Sequence, residues 1–289
     1  MQDLITIHGT NYTAILSNNG AELKSIKHKN GTEFMWQANA DIWPRTAPVL
    51  FPIIGKVKSD LLRVDDKTYA ISQHGFARDK KFTVLEQTEN RVVFKLAYND
   101  ETLRKYPFDF KLLLSYTWQG DQLICGYQVK NVGVGDMPFS IGAHPAFNIP
   151  DEDFANCSLI FNKPETAERY LLEDGLFNHQ TELVLDNCTE LPLSVALFDK
   201  DAVVFKNLKS TQITLKHNLS NYSVIMSFDG FPDFGIWTKK GSQRFICLEP
   251  WFGHSDYTEG HEDITKKAGM LSLPAQQIFN AHYTLKFSV

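Results

Sequence analysis

Residues 244–256 read Arg-Phe-Ile-Cys-Leu-Glu-Pro-Trp-Phe-Gly-His-Ser-Asp, and this segment gives the clearest indication of the architecture. Residues 245–248 are apolar without alternation, which predicts a strand that is covered on both faces. Because proline has no amide hydrogen, Pro250 is expected to end this strand directly after Glu249. A carboxylate at the inner end of a buried strand costs free energy unless it is paired, neutralised or open to a wet pocket.

Trp251 and Phe252 place flat apolar surface directly beside Glu249. A single acid next to aromatic rings suits a small polar ligand with a hydrophobic side, such as a sugar ring. The alternative is a glutamate that is tied to an arginine or lysine at a strand end. The segment alone leaves both interpretations open.

Segments typical of strands recur along most of the chain, and 21 Phe and 10 Tyr fit half-buried pleated surfaces better than helices. Two pairs of segments predict β-hairpins, residues 81–86 with 91–98 and residues 110–118 with 122–130. Further strands are predicted at residues 202–206, 212–217, 222–228, 234–238 and 282–287.

Helix signals are confined to two short segments. Residues 101–105 follow Asp100 as a candidate N-cap and precede Pro107, and one more helical turn is expected at residues 263–267. Residues 150–156 and 173–191 are predicted to be loops within the fold. Because no repeat, linker or interleaved helical pattern divides the strands, the sequence predicts one all-β domain over residues 1–289, a large antiparallel β-sandwich.

The composition argues against several classes of protein. A formal net charge of -5 without a basic face argues against nucleic-acid binding. The longest apolar stretch, residues 47–55, is broken by two prolines and is too short to span a membrane, and no secretion signal is evident. Four dispersed cysteines without C-x-x-C spacing predict free thiols in a cytoplasmic protein and no zinc site. Nothing in the sequence indicates the oligomeric state.

Arg45 and Lys56 bracket a proline-rich segment, residues 43–56, that suits an edge strand or the wall of a pocket. Both side chains can donate hydrogen bonds to hydroxyl groups or to an anion. The alternative is that both are solvated surface charges, which is the commoner fate of arginine and lysine.

A second polar segment, residues 72–79, crowds Gln73, His74 and Arg78 around Gly75. Glycine permits a tight backbone with positive φ, and a neutral histidine can orient a hydroxyl group. The segment is either part of a site or a surface loop in which Arg78 pairs with its neighbouring aspartate.

His144 is the histidine that best suits chemistry. Pro145 biases it towards an extended backbone, and small neighbours leave room for a ligand. With an unperturbed pKa near ~6.5, imidazole is the natural proton donor at neutral pH. The alternative is a buried histidine bound to a backbone carbonyl. Further along, Asp233 either reaches a pocket or caps a turn.

Four segments occur in the same order as in a known family: residues 47–52, 73–79, 144–147 and 248–251. Together the chain resembles the aldose 1-epimerase (galactose mutarotase-like) family over residues 4–287. The similarity is greatest to its LacX-like branch of small bacterial members, which are kin to the hexose-6-phosphate epimerases. The resemblance implies a one-domain β-supersandwich, no cofactor and no metal, and interconversion of the α and β anomers of a free or phosphorylated aldose.

The resemblance also assigns roles by position. It implies that His144 is the general acid, that Glu249 is the general base and that His74 holds the sugar near its ring oxygen. Arg45 and Arg78 are then able to meet a phosphate. The full set of substrate-binding residues that it implies is Arg45, Lys56, Gln73, His74, Arg78, Asp233 and Trp251. Lys56 stands where this branch usually has arginine, which keeps the charge but loses the bidentate fork.

The chemistry suits these residue types independently. Opening a hemiacetal removes the proton of the anomeric hydroxyl and protonates the ring oxygen, so an acid and a base on opposite sides of the ring are expected. An imidazolium and a carboxylate, the latter with a pKa raised by partial burial, form such a pair.

Two alternatives compete with an epimerase. A sugar-binding or sensor protein without turnover could keep the same pocket. A metallohydrolase could use His254, Asp256, Glu259 and His261, although their spacing matches no recognised ligand pattern.

Overall fold

The computed structural model describes residues 3–260 and 263–289. This part of the chain is almost entirely β, as the sequence predicts, and its one α-helix, α1, spans Asp100–Leu103. The strands in chain order are β1 (Leu4–His8), β2 (Tyr12–Ser17), β3 (Glu22–His28), β4 (Val49–Leu50), β5 (Leu61–Val64), β6 (Lys67–Ala70), β7 (Thr83–Gln87), β8 (Arg91–Ala97), β9 (Phe110–Gln119), β10 (Gln122–Asn131), β11 (Met137–Phe139), β12 (Ile141–Ala143), β13 (Ala146–Asn148), β14 (Cys157–Glu173), β15 (Leu176–Pro192), β16 (Val203–Lys206), β17 (Gln212–His217), β18 (Ser223–Ser227), β19 (Asp233–Trp237), β20 (Phe245–Phe252), β21 (Leu271–Leu273) and β22 (Ile278–Ser288).

Fifteen of these strands form one sheet in the order β4-β12-β20-β19-β16-β14-β17-β18-β22-β10-β9-β8-β7, with β13 paired to β20 and β15 paired to β14. Neighbouring strands in it are antiparallel. Strands β1, β2 and β3 form a second sheet, and β1 contacts β8 and β9 of the large one. The result is an antiparallel sandwich, in agreement with the predicted fold class.

The core between the two sheets is built from alternate residues of their strands. Ile7, Leu16 and Leu23 of the small sheet are fully buried. Tyr12 stacks on Trp118 of β9, with ring centroids 5.9 Å apart. Each such apolar side chain stabilises the fold by roughly 1.5–3 kcal/mol relative to exposure. The three strands of the small sheet were not among the predicted elements.

The strands that the sequence did predict are present. Both hairpins form, as β7 with β8 and as β9 with β10, and their bounds differ from the prediction by at most two residues. The five single strands correspond to β16, β17, β18, β19 and the second half of β22. Strong apolar alternation in a half-buried sheet is therefore a sufficient signal for this part of the fold.

The strand after residue 244 is longer than predicted, because β20 continues through Pro250 to Phe252. The amide of Leu248 donates to the carbonyl of Pro145, and the nitrogen of Pro250 faces the same side two residues further on. The register of β12 on β20 places Pro250 opposite Ala143, whose carbonyl accepts a hydrogen bond from the indole nitrogen of Trp251 at 3.2 Å in place of a backbone amide. The prediction that Pro250 ends the strand was wrong for this reason.

Residues 173–191 are not a loop. They form the turn and second strand of a long hairpin, in which β14 pairs with β15 through several register shifts. Most of its residues are exposed or half-buried, so the hairpin lacks the apolar alternation that marks a strand resting on a core. Its turn lies beside the cavity described below.

Helical elements are minor and differ in detail from the prediction. Asn99, and not Asp100, caps α1, and its side chain accepts a hydrogen bond from the amide of Thr102 at 3.0 Å. Residues 263–267 form a hydrogen-bonded turn, and residues 150–156 form two short 3-10 turns. No helix in the described part of the chain has the length and apolar character needed to cross a bilayer.

Candidate active site

A cavity of about 460 Å³ opens where β12, β20, β19 and β16 lie side by side. It brings together predicted site residues from distant parts of the chain. Those that line it are Arg45, Gln73, His74, Arg78, His144, Glu249 and Trp251. Side chains from three of the four family-like segments, residues 73–79, 144–147 and 248–251, therefore converge on one opening, whereas residues 47–52 do not line it. The opening is of a size that accommodates a hexose.

His144 and Glu249 form a close pair in this cavity. His144 lies between β12 and β13, and Glu249 lies in β20, which pairs with both of those strands. The Nε2 atom of His144 and the Oε2 atom of Glu249 are 3.2 Å apart, and both side chains are buried. The two groups are thus side by side, and the expectation of groups on opposite sides of a sugar ring was wrong. An adjacent acid and base suit the opening of a hemiacetal, because the ring oxygen and the anomeric hydroxyl oxygen are both bonded to the anomeric carbon.

Burial sets the protonation of this pair. Loss of solvation raises the pKa of Glu249 well above its ordinary value, and the charge of Asp201 adds to the effect. Loss of solvation also lowers the pKa of His144 to about 3, helped by the charges of Arg78 and Arg45. The imidazolium expected from the sequence is therefore not the resting form at neutral pH. Burial thus favours the neutral form of both groups, with the proton that the pair shares on Glu249.

His74 is fixed as a hydrogen-bond donor. Its ring meets that of His144 edge-on, with centroids 5.6 Å apart. The amide of Gly55 donates to Nδ1 of His74 at 3.1 Å, and burial lowers the pKa of His74 well below its ordinary value. A neutral imidazole that accepts at Nδ1 carries its proton on Nε2. His74 can therefore donate one hydrogen bond to a sugar oxygen.

Two tryptophans that the sequence analysis did not single out pack against the imidazole of His144. Trp43 stacks on His144 with centroids 5.0 Å apart and planes inclined by 27°. Trp237, in β19, meets the same ring edge-on at 5.7 Å. Both line the cavity. Their only signal in the sequence is position, since Trp43 begins the proline-rich segment and Trp237 lies one residue before the end of a predicted strand.

Trp251 forms part of the cavity wall and is anchored by its surroundings. Its indole nitrogen donates to the carbonyl of Ala143 at 3.2 Å. A Cβ atom at Gly235 or at Gly142 would lie 2.6 Å from the indole ring. Two glycines therefore make room for this ring on neighbouring strands.

Gly235→Ala is expected to destabilise the fold by about 1–3 kcal/mol, because the added methyl group overlaps the ring of Trp251. Urea denaturation of the variant and wild type measures the difference. Gly135→Ala is the matched control, since a Cβ there meets nothing within 4 Å. Equal stability of Gly235→Ala and wild type would show that Trp251 does not pack as described.

Arg45 and Arg78 form a positively charged edge of the cavity. Arg45 binds Asp79 at 2.7 Å, whereas Nε of Arg78 is 3.9 Å from the same carboxylate. Arg78 also donates to the carbonyl of Gln73 at 2.6 Å, but its buried Nε has no hydrogen-bond partner in the described residues. Burial and the charge of Arg45 lower the pKa of Arg78 to about 10, so its guanidinium group stays charged at neutral pH. Two cations thus share one carboxylate.

Lys56 and Asp233 do not line the cavity. Lys56 lies in an adjoining open groove of about 910 Å³ that shares Gln73 and Gly175 with it. Asp233 is buried opposite Trp251 in the ladder of β19 and β20, where burial raises its pKa to about 6 against the charge of Lys206. The position of Asp233 suits a supporting role beneath the wall of the cavity.

The hairpin of β14 and β15 supplies cavity residues, two of which, Gly175 and Phe177, lie in the segment 173–191 that was predicted to be a loop. Leu172, Gly175 and Phe177 line the opening. The amide of Phe177 donates to the carbonyl of Asp256 at 2.8 Å, which ties the hairpin to the segment after β20. The sequence did not indicate a strand here because most residues of β15 are exposed or half-buried.

The residues of the hydrolase alternative do not converge among those the structure describes. His254 binds Lys206 and the carbonyl of Ser255, and Glu259 binds His179. Asp256 lies 3.5 Å from Lys267. His261 lies outside the described residues. The three that are described thus serve separate contacts, and the structure gives no support to a metal centre built from them.

Comparison with known proteins agrees with this geometry. The sequence profile of the aldose 1-epimerase family matches residues 3–267. The chain is 37% identical over 252 residues to the chromosomal protein LacX of Lactococcus lactis subsp. lactis, covering 83% of this chain and 84% of that protein. It superposes on a galactose mutarotase related enzyme from Lactobacillus acidophilus with a TM-score of 0.95 at 32% identity, covering 99% of this chain and 97% of the other. A galactose mutarotase-like protein from Lactobacillus casei gives 0.94 at 31% identity, covering 99% and 100%. The chain therefore belongs to the aldose 1-epimerase family and is an isomerase of the mutarotase type.

Proposed function

We propose that the protein interconverts the α and β anomers of an aldohexose, with Glu249 as general base and His144 as general acid. The observation that carries this proposal is the buried pair, with Nε2 and Oε2 3.2 Å apart in a cavity of hexose size. General acid–base assistance of roughly 10²–10⁴-fold per group is enough for a reaction that already proceeds in water.

The reaction begins when the single proton of the pair lies on His144. The carboxylate of Glu249 takes the proton of the anomeric hydroxyl, and His144 gives its proton to the ring oxygen as the bond from the anomeric carbon to that oxygen breaks. An open-chain aldehyde results, and the pair is left with its proton on Glu249, the form that burial favours. Rotation about the C1–C2 bond and reversal of both transfers close the ring as the other anomer.

The value of kcat/KM is expected to be level across neutral pH and to fall at both extremes. At acidic pH, kcat/KM falls when His144, with a pKa of about 3, is also protonated. The pair then holds two protons and has no group that can act as the base. The alkaline fall comes when the pair loses its proton, and the raised pKa of Glu249 delays this. Exchange rates from NMR, corrected for the spontaneous reaction, give the profile. An acidic limb near the ordinary histidine pKa of about 6.5 would contradict the single-proton pair.

Anomer exchange tests the function directly. Freshly dissolved α-glucose, α-galactose and glucose 6-phosphate are followed by polarimetry and by NMR exchange with and without the protein. Acceleration of at least one sugar supports the proposal. Saturable sugar binding without acceleration would instead establish the alternative of a binding or sensor protein.

We further propose that the substrate is phosphorylated and that its phosphate binds Arg45 and Arg78. Two guanidinium groups share the single carboxylate of Asp79, and a buried Nε of Arg78 lacks a hydrogen-bond partner in the described residues. The planar fork of a guanidinium group binds two oxygens of a phosphate in a bidentate arrangement.

Arg45→Gln is expected to raise KM for glucose 6-phosphate roughly 10-fold or more, since a hydrogen bond to a charged group contributes about 1.5–3 kcal/mol. The value of KM for free glucose is expected to change little. Arg63→Gln, which alters an exposed arginine on β5 outside the cavity, is the matched control. Equal effects of Arg45→Gln on both sugars would refute the phosphate assignment.

A further inference from the structure

Three potential metal ligands meet in the cavity wall. A ring nitrogen of His144, the Sγ atom of Cys247 and a carboxylate oxygen of Glu249 all lie within 4.8 Å of one another, and all three side chains are buried. No second group of this kind occurs among residues 3–260 and 263–289. The reaction proposed above uses the imidazole and the carboxylate but gives the thiol no task.

The positions follow from the sheet. Cys247 and Glu249 are two residues apart in β20, so their side chains point to the same face. Ala146 of β13 is the cross-strand partner of Cys247, and His144 precedes that strand by two residues. The fold therefore holds all three donors on rigid backbone.

The distances suit a small soft cation. Zinc bonds of about 2.0–2.3 Å to nitrogen, oxygen and sulfur place neighbouring donors of a tetrahedron roughly 3.3–3.6 Å apart. The imidazole and the carboxylate are already 3.2 Å apart. From separations of up to 4.8 Å, the thiol reaches the third corner with a movement of about 1.5 Å or less, which a rotamer adjustment supplies.

The environment also favours a cation. Oε2 of Glu249 is buried and accepts no hydrogen bond from the described residues. A buried carboxylate oxygen without a donor is stabilised by a bound metal ion. The mixed set of sulfur, nitrogen and oxygen donors selects zinc and similar soft ions over magnesium or calcium, which take oxygen ligands alone.

We propose that His144, Cys247 and Glu249 form a binding site for Zn²⁺ or a similar soft divalent cation, and that the bound ion inhibits the enzyme. The ion enters through the cavity, because His144 and Glu249 line it while Cys247 lies behind them. Inhibition, in contrast to binding, rests on the proposed function, since the ion occupies the two groups that exchange protons with the sugar.

Metal binding is measured first, without sugar, on the whole protein. Titration with Cd²⁺ is expected to produce an ultraviolet charge-transfer band from a cadmium–thiolate bond at one equivalent, and calorimetry with Zn²⁺ is expected to show one site. Cys247→Ser is expected to abolish the band and to weaken zinc binding by at least the roughly 10–100-fold that loss of a supporting group costs in natural sites.

Cys157→Ser is the matched control, because Cys157 is an equally buried free thiol that is not part of the cluster. It is expected to keep both the band and the zinc affinity. A wild-type protein without the band, or a Cys247→Ser variant that binds zinc as wild type does, would overturn the proposal. The wild-type band decides the question even if a variant fails to fold, and Cys247→Ala provides a second replacement.

Anomer exchange in the presence of Zn²⁺ then tests inhibition. Wild type and Cys157→Ser are expected to lose activity and to regain it with EDTA, whereas Cys247→Ser keeps its activity. A protein that shows the band but has no epimerase activity in any condition would leave the metal site standing and refute the proposed function. Binding with full activity retained would refute the inhibitory role.

Discussion

Glu249→Gln is expected to lower kcat for anomer exchange by roughly 10²–10⁴-fold, because an amide cannot take the proton of the anomeric hydroxyl. The substitution preserves the size and shape of the side chain and leaves the cavity intact. Sugar affinity should therefore change far less than kcat. NMR exchange spectroscopy at saturating sugar measures the loss, and Glu89→Gln, at an exposed residue of the β7–β8 turn, serves as control.

The same variant is expected to be at least as stable as wild type at neutral pH. Burial raises the pKa of Glu249 above its ordinary value of 4.5, so the folded protein retains a proton that the unfolded chain releases. The contribution of protonated Glu249 to the free energy of unfolding of wild type is fully present below pH 4.5 and is lost as the pH rises through the raised pKa. The amide of the variant does not titrate. The difference in melting temperature between variant and wild type should therefore grow with pH.

Loss of activity together with a lower melting temperature at every pH would contradict this account, because it would indicate structural damage. Retained activity in a folded variant would remove Glu249 as the base and favour the sugar-binding alternative.

His144→Asn is expected to lower kcat by a similar factor, because the variant has no group that can protonate the ring oxygen. Asparagine keeps a polar side chain between Trp43 and Trp237, where a large apolar replacement would alter the stack. Polarimetry on α-glucose and glucose 6-phosphate measures the effect. His179→Asn, at an exposed histidine paired with Glu259, is the control.

The double variant gives a sharper test of the pair. Groups that move protons in one event act as a unit, so removing both should cost little more than removing either. If the loss of kcat in the double variant equals the product of the losses in the two single variants, His144 and Glu249 act in separate steps.

The sequence predicted those strands whose pattern of apolar residues is typical of only one structural environment. Strand β20 is apolar on both faces because it lies inside the large sheet, and β9 and β10 alternate because they cover the core on one face. These patterns follow from the burial of each strand and can be recognised without knowing which strands it pairs with. Strand β15 was missed because most of its residues are exposed or half-buried. Pro250 misled because the carbonyl opposite it is satisfied by the side chain of Trp251, which is a tertiary feature.

The candidate site was predictable in its residues but not in its state. Chemistry-bearing side chains near glycine and proline identified His144 and Glu249, which the cavity brings together. The protonation of the pair depends on burial by segments far away in the chain, which no local pattern records. The stacking of Trp43 and Trp237 on His144 is non-local in the same way.

The adjacency of His144 and Glu249 has a consequence for how both anomers are served. In the proposed reaction the same edge of the sugar faces His144 and Glu249 for both anomers. The configuration at C1 is inverted when the aldehyde group of the open chain rotates, while the strands that carry the two side chains stay in place. Such an enzyme needs spare volume around C1 more than it needs a moving lid.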